Sequence, residues 1–246
     1  MIGFILIVML ATAAASLLGI GGGILILPIL IHLQKNSYPD AVFLCLCSVF
    51  LLSVLKVMNH RDLIRPRAKA MGFWILSAGL GALAASWLVD RIPAKDLVIA
   101  FDILLIFIAL KLLFFRSREE TSASSLAKKT APPLFFMSGS LAGFFGIGGG
   151  ILNVPIFHRV LRIPMNESTA LSFFFVFISS GVALLTQFHL HSQRIQQIPD
   201  VQLISLLVGT FLGFALAKKI RLKESVLRIA FACLLIAVAL GDLSFA

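Results

Sequence analysis

Eight stretches of this chain carry almost no charge: 1–33, 41–55, 70–89, 97–110, 130–158, 168–193, 201–217 and 229–241. Together they fill most of its 246 residues, and Asp102 is the one Asp, Glu, Lys or Arg inside them. Apolar segments of this length, repeated along a chain whose mean hydropathy is +1.03, predict an all-α polytopic membrane protein. No basic stretch or small-residue cleavage site marks the first segment as a removable leader, so it is expected to belong to the mature chain.

The formal net charge of +10 is compatible with nucleic-acid binding, but the basic residues lie in the short connections between apolar segments, where they set orientation. The bilayer, and no nucleic acid, is therefore the expected partner. Cys45, Cys47 and Cys233 all fall within apolar segments and read as small packing residues.

The chain repeats itself. Shifted by 127 positions, "GIGGGILILPI" at 19–29 meets "GIGGGILNVPI" at 146–156, with nine of eleven residues identical. A shift of 130 aligns "IAFDILLIFIAL" at 99–110 with "IAFACLLIAVAL" at 229–240, eight of twelve identical. This divides the chain into a first repeat, 1–115, a polar linker, 116–131, closed by Pro132-Pro133, and a second repeat, 132–246. Each repeat holds four apolar segments, an arrangement common in secondary transporters, where substrate lies between the halves.

Charge then orients the repeats. If all eight segments crossed, the loop lysines and arginines would split ten against ten, and oriented membrane proteins are not so balanced. Corresponding loops also carry opposite loads: 59–70 has four basic residues where 187–200 has one, and 90–96 has two where 218–228 has five. That reversal is the mark of inverted repeats. Inversion needs an odd number of crossings per repeat, so one segment in four must return to its own side. The first segment, about 50 Å long as a helix, is too long for one span of about 30 Å and too short for two. A hairpin broken at the glycines fits it. With 1–33 and its counterpart re-entrant, the count becomes sixteen against four. The expectation is three crossing helices and one re-entrant hairpin per repeat, with the linker cytoplasmic and both termini outside.

Four glycines in five residues disfavour helix and expose backbone amides. At membrane depth such backbone persists only where it is buried in protein or lines a wet cavity. A helix resuming after Gly23 or Gly150 points its unpaired amides and positive dipole end into that cavity, an arrangement suited to anions. Pro28 and Pro155 limit the short helix that follows. The pattern lacks the Lys and Ser/Thr of a P-loop and the third glycine of a dinucleotide fingerprint.

The doubled motif, each copy followed by an acidic position and a helix with small hydroxyl or thiol residues, "DAVFLC" or "ESTALS", resembles the sulfite exporter TauE/SafE family of membrane permeases along essentially the whole chain. The resemblance implies export or uptake of small sulfur-containing anions, such as sulfite, thiosulfate or organosulfonates, across the bacterial cytoplasmic (inner) membrane. By motif position it implies that Gly19, Gly21, Gly22, Gly23 and Pro28, with Gly146, Gly148, Gly149, Gly150 and Pro155, form the substrate site. The threonine-serine pair associated with the next helix is here Leu44-Cys45 and Leu171-Ser172, which nominates Cys45 and Ser172 as further contacts.

Asn153 stands where the first repeat has Ile26 and reads either as a ligand contact or as a cap on the broken backbone. Asp102 reads as a proton-coupling acid or as the partner of Lys56 or a hydroxyl. Lys56 reads as a snorkelling side chain or as a charge drawing anions into an inner vestibule. Gly79, Gly81, Gly209 and Gly213 read as helix-packing positions. His189 and His191, two apart, point away from each other on a helix, and no metal site or cofactor is expected. An intramembrane enzyme would need a nucleophile with a base, or a metal cluster, and the serines have no intramembrane histidine partner. A non-transporting scaffold leaves the doubled break unexplained.

Overall fold

The computed structural model describes residues 2–18, 22–114, 125–219 and 235–236, and every regular element among them is helical. In chain order these are α1 (Ile2–Leu18), α2 (Gly23–Pro28), α3 (Tyr38–Asn59), α4 (Arg61–Ala68), α5 (Gly72–Leu88) and α6 (Ala94–Phe114). They continue with α7 (Ser125–Phe145), α8 (Gly150–Pro155), α9 (Met165–Leu190), the short α10 (Ser192–Ile195) and α11 (Asp200–Lys219). Four are long and apolar enough to cross a membrane: Tyr38–Asn59, Gly72–Arg91, Met165–Leu190 and Asp200–Lys219. Helix α7 reaches back through 125–131, the second half of the polar linker.

The duplication is legible in the backbone itself. From the glycines onward, α2 and α8, the π-turns Ile29–Leu33 and Ile156–Val160, and the first residues of α3 and α9 all recur at the same spacing of 127. Each short helix ends in a proline that has no N–H for the ladder, and the next turn widens to a π-turn. Both turns close with the same cap: Asn36 N–H donates to Leu30 O at 3.2 Å, and Ile163 N–H to Phe157 O at 2.9 Å. The residue before each closing donor, Lys35 or Arg162, is left-handed, with φ of 52° and 54°. Pro39 or Pro164 then starts the next helix, with Asp40 or Glu167 in its first turn.

Helices α3 and α9 form the centre and run antiparallel. Phe50 stacks on Phe177 with ring centroids 5.3 Å apart, Lys56 lies over the Phe173 ring at 5.3 Å, and Arg67, just beyond, pairs with Glu167 at 2.7 Å. The numbering rises on one side as it falls on the other. The remaining large contacts also join the repeats: α5 packs along α7, and α1 along α11. Small residues bring these backbones together. A methyl on Gly139 would sit 1.9 Å from Ala78 O, and one on Gly213 2.5 Å from Met9 O. Gly81 and Gly209 bear on neighbouring backbone in the same way, whereas Gly79 meets only the Val182 side chain at 3.8 Å and is no crossing point. Leu6 and Leu10 of α1, Leu76, Leu80 and Leu83 of α5, and Phe211 and Leu212 of α11 face outward, the surface a bilayer would cover.

Candidate functional site

The second glycine break is wound left-handed. Gly146, Gly148 and Gly149 have φ of 69°, 73° and 70°, a region closed to most side chains, and space closes it as well. A methyl on Gly149 would lie 2.1 Å from Ser138 O, and one on Gly148 2.6 Å from Val176 Cγ1 and 2.7 Å from Val49 Cγ1. In the first repeat Gly22 is right-handed, with φ −64°, and a methyl there would meet nothing nearer than Ile26 Cδ1 at 3.4 Å. Gly19 and Gly21 lie outside the described residues.

The two breaks touch. A methyl on Gly23 would fall 2.5 Å from Ile147 Cα and 3.0 Å from Gly146 O. Helix α3 of the first repeat covers the break of the second: Val42 O and Cys45 Cβ stand over Gly146, and Val49 over Gly148. Tyr38 Oη closes the end of α7 by donating to Phe144 O at 2.9 Å. Neither short helix carries a side-chain cap, so their first amides depend on something other than the helix itself.

The carbonyls around the breaks are served by side chains. Cys45 Sγ–H donates to Gly23 O at 3.4 Å, and Ser172 Oγ–H to Gly150 O at 3.3 Å, the same contact made at matching positions of the two repeats. Ser179 Oγ–H donates to Gly148 O at 3.1 Å, and Ser138 Oγ–H to Gly149 O at 2.9 Å and to Asn153 Oδ1 at 2.5 Å. Cys45 and Ser172 thus brace the short helices, and Asn153 is tied to the α7 hydroxyl that steadies the break. No motif marks Ser138 or Ser179. Comparing the repeats finds them: they replace Ala11 and Leu52, and Ser138 appears together with Asn153, where the first repeat pairs Ala11 with Ile26. A hydroxyl and an amide arriving as partners mark a contact that neither shows alone.

Pro28 and Pro155 end the short helices away from the break. Asp102, in α6, is 2% exposed, and its neighbour Phe101 packs on Phe145, the residue before Gly146, with ring centroids 5.6 Å apart. Lys56 is not its partner. The Lys56 ammonium donates to Ser16 O at 3.2 Å and lies over the Phe173 and Phe214 rings. His191 Nε2 meets Asp90 Oδ2 at 2.7 Å, away from any cluster of metal-ligating side chains. Among the described residues no three His, Cys, Asp or Glu side chains converge.

Known proteins resemble the chain along much of its length. The "Probable membrane transporter protein YunE" of Bacillus subtilis is 24% identical over 262 residues, covering 95% of each chain. A "Probable membrane transporter protein" of Xylella fastidiosa is 25% identical over 92% of this chain and 88% of its own. Another from Methanocaldococcus jannaschii reaches 31% identity over 64% of this chain and 61% of its own. No solved structure matches the chain. The sequence model of one family, described as sulfite exporter TauE/SafE, matches residues 4–241. With both glycine breaks and the four long apolar helices inside that match, this chain belongs to the sulfite exporter TauE/SafE family.

Proposed function

We propose that this chain is a membrane transporter of small sulfur-containing anions, of the sulfite or organosulfonate class, which it binds where the two glycine breaks meet and passes by rocking one inverted repeat against the other. Its family and its relatives, each named "Probable membrane transporter protein", support the transporter reading. The observation that carries the mechanism is the contact of Gly23 with Gly146 and Ile147, which joins the two repeats at their broken helices. Uncapped helix starts gathered there favour an anion over a cation or a neutral ligand.

Two polar side-chain contacts support the inverted, re-entrant topology. If all eight segments crossed, 59–70 and 159–167 would face opposite sides of the membrane, as would 90–96 and 187–200. Arg67 nevertheless pairs with Glu167, and Asp90 with His191. Both pairs become same-side contacts once each glycine segment turns back. The antiparallel course of α3 and α9, equivalent helices of the two repeats, is what a two-fold axis in the membrane plane produces. On this reading the linker 116–131 faces the cytoplasm, both termini lie outside, and the membrane is the bacterial inner one. A negative-inside potential then drives anion exit by about 2.3 kcal/mol per charge per 100 mV, so export needs no coupling ion.

The test is flux of 35S-sulfite from reconstituted vesicles. Wild-type protein and Gly22→Ala are expected to transport, and Gly149→Val to lose transport while remaining monodisperse in detergent. Undiminished flux in Gly149→Val would remove the glycine breaks from the path. Absence of wild-type flux for sulfite, thiosulfate and methanesulfonate alike would remove the substrate class.

A further inference from the structure

One side of the molecule carries a polar lane that its symmetry mate lacks. Ser48 of α3 and Thr210 of α11 share a buried hydrogen bond of 2.6 Å, and Ser48 adjoins Val49, which packs on both glycine breaks. Two turns further along α3, about 12 Å at 1.5 Å per residue, stands Lys56. Its ammonium does not reach for the surface. It turns to the last turn of α1, donating to Ser16 O at 3.2 Å, with the Phe173 and Phe214 rings 5.3 and 5.9 Å away.

Two buried hydroxyls lie on α1, one on the residue whose carbonyl takes the ammonium and one a turn before it. Ser16 and, one turn earlier on the same face of α1, Thr12 are 3% and 0% exposed, and neither side-chain oxygen has a hydrogen-bond partner among the described residues. Thr12 sits against Gly213, next to Phe214. Such groups normally bond back to their own helix or to a neighbour, because leaving a buried hydroxyl unpaired is costly. Among the described residues Lys56 has no carboxylate partner, and Lys218, whose Nζ lies 4.7 Å from the Phe214 ring centroid, adds charge of the same sign. The group is therefore rich in donors, positive and screened by rings. The matching positions in the other half are Gly139, Gly143, Ala183 and Phe175 for Thr12, Ser16, Lys56 and Ser48, so no counterpart can form there.

We propose that Lys56, with the Thr12 and Ser16 hydroxyls, is a second anion-binding station, which takes the XO3 group of sulfite or a small sulfonate between the glycine breaks and the α4 end of α3. This deepens the transporter reading and rests on it for the direction of travel, but the station's binding is measurable without flux. An ammonium with two hydroxyls supplies a donor for each of three oxygens on one centre. The lane makes the path one-sided: the anion leaves the shared breaks through the half that carries Lys56.

Equilibrium binding of 35S-sulfite to the detergent-solubilised full chain tests the station, with methanesulfonate as competitor. Lys56→Met is expected to weaken binding by about tenfold or more, and Lys56→Arg to stay within about threefold of wild type. The double change Thr12→Val, Ser16→Ala, which leaves the charge in place, is expected to weaken binding by at least about threefold. Wild-type affinity in Lys56→Met, equal loss in Lys56→Arg and Lys56→Met, or no sulfite binding by the wild type each overturn the station. Lys56-dependent binding without vesicle flux leaves the station standing and removes transport. Flux with binding indifferent to Lys56 does the reverse.

Discussion

At the scale of single residues the two glycine breaks are not equivalent. Gly149 is left-handed and pressed on Ser138 O, whereas Gly22 is right-handed with room for a methyl. Gly149→Ala combines a left-handed cost of about 1–2 kcal/mol with overpacking of about 1–3 kcal/mol. It is expected to lower the thermal midpoint in detergent by several degrees. Gly22→Ala, in helical geometry that alanine favours, is expected to change stability by less than about 1 kcal/mol. Equal midpoints for the two variants would mean that the left-handed winding is not held in the folded protein. "GIGGG" is identical in both copies, so the difference lies in the packing around each: Ser138 O stands against Gly149, whereas the Ile26 and Leu52 side chains are nearest Gly22.

Among elements, the clearest departure from symmetry is how each short helix is fastened to the long helix before it. Between α7 and α8 the tie is polar, Ser138 to Asn153, and the matching positions in α1 and α2 are the apolar Ala11 and Ile26. Ser138→Ala alone strands Asn153 Oδ1 in a buried place, at a cost of about 1–3 kcal/mol. Making Asn153→Ile as well removes the stranded group and copies the first repeat. The double variant is expected to be less destabilised than the sum of the singles by about 1 kcal/mol or more, read from thermal midpoints of all four proteins. Strict additivity would mean that the two side chains do not depend on each other. The short helices, their prolines and the packing role of Gly81, Gly209 and Gly213 are readable in the sequence because each follows from local chemistry. Ser138 and Ser179 show only when the repeats are compared, and the turn of Lys56 toward α1 does not show at all, since it depends on which helix lies alongside.

For the molecule as a whole, topology is the property to test. Single cysteines at Ala94 and Gln193 are expected to react with an impermeant maleimide added outside intact cells, and one at Ser124 only after lysis. Reaction of Ser124 from outside with Ala94 protected would turn the molecule over. The sequence reaches this far because membrane proteins write their orientation in loop charge, and because the duplication gives every loop an internal control. It stops at the packing of α5 on α7 and α1 on α11, which joins helices from different repeats and leaves no periodic trace in either. Those crossings bear on ancestry. A lone repeat would expose the small-residue faces that now clasp the other repeat, and a second copy inserted upside down would offer their complement, as in any isologous pair. Two such copies could have assembled before they were fused. On the inverted-repeat reading proposed above, fusion would fix their ratio at one to one and free each copy to diverge, as Lys56 and its matching position Ala183 have.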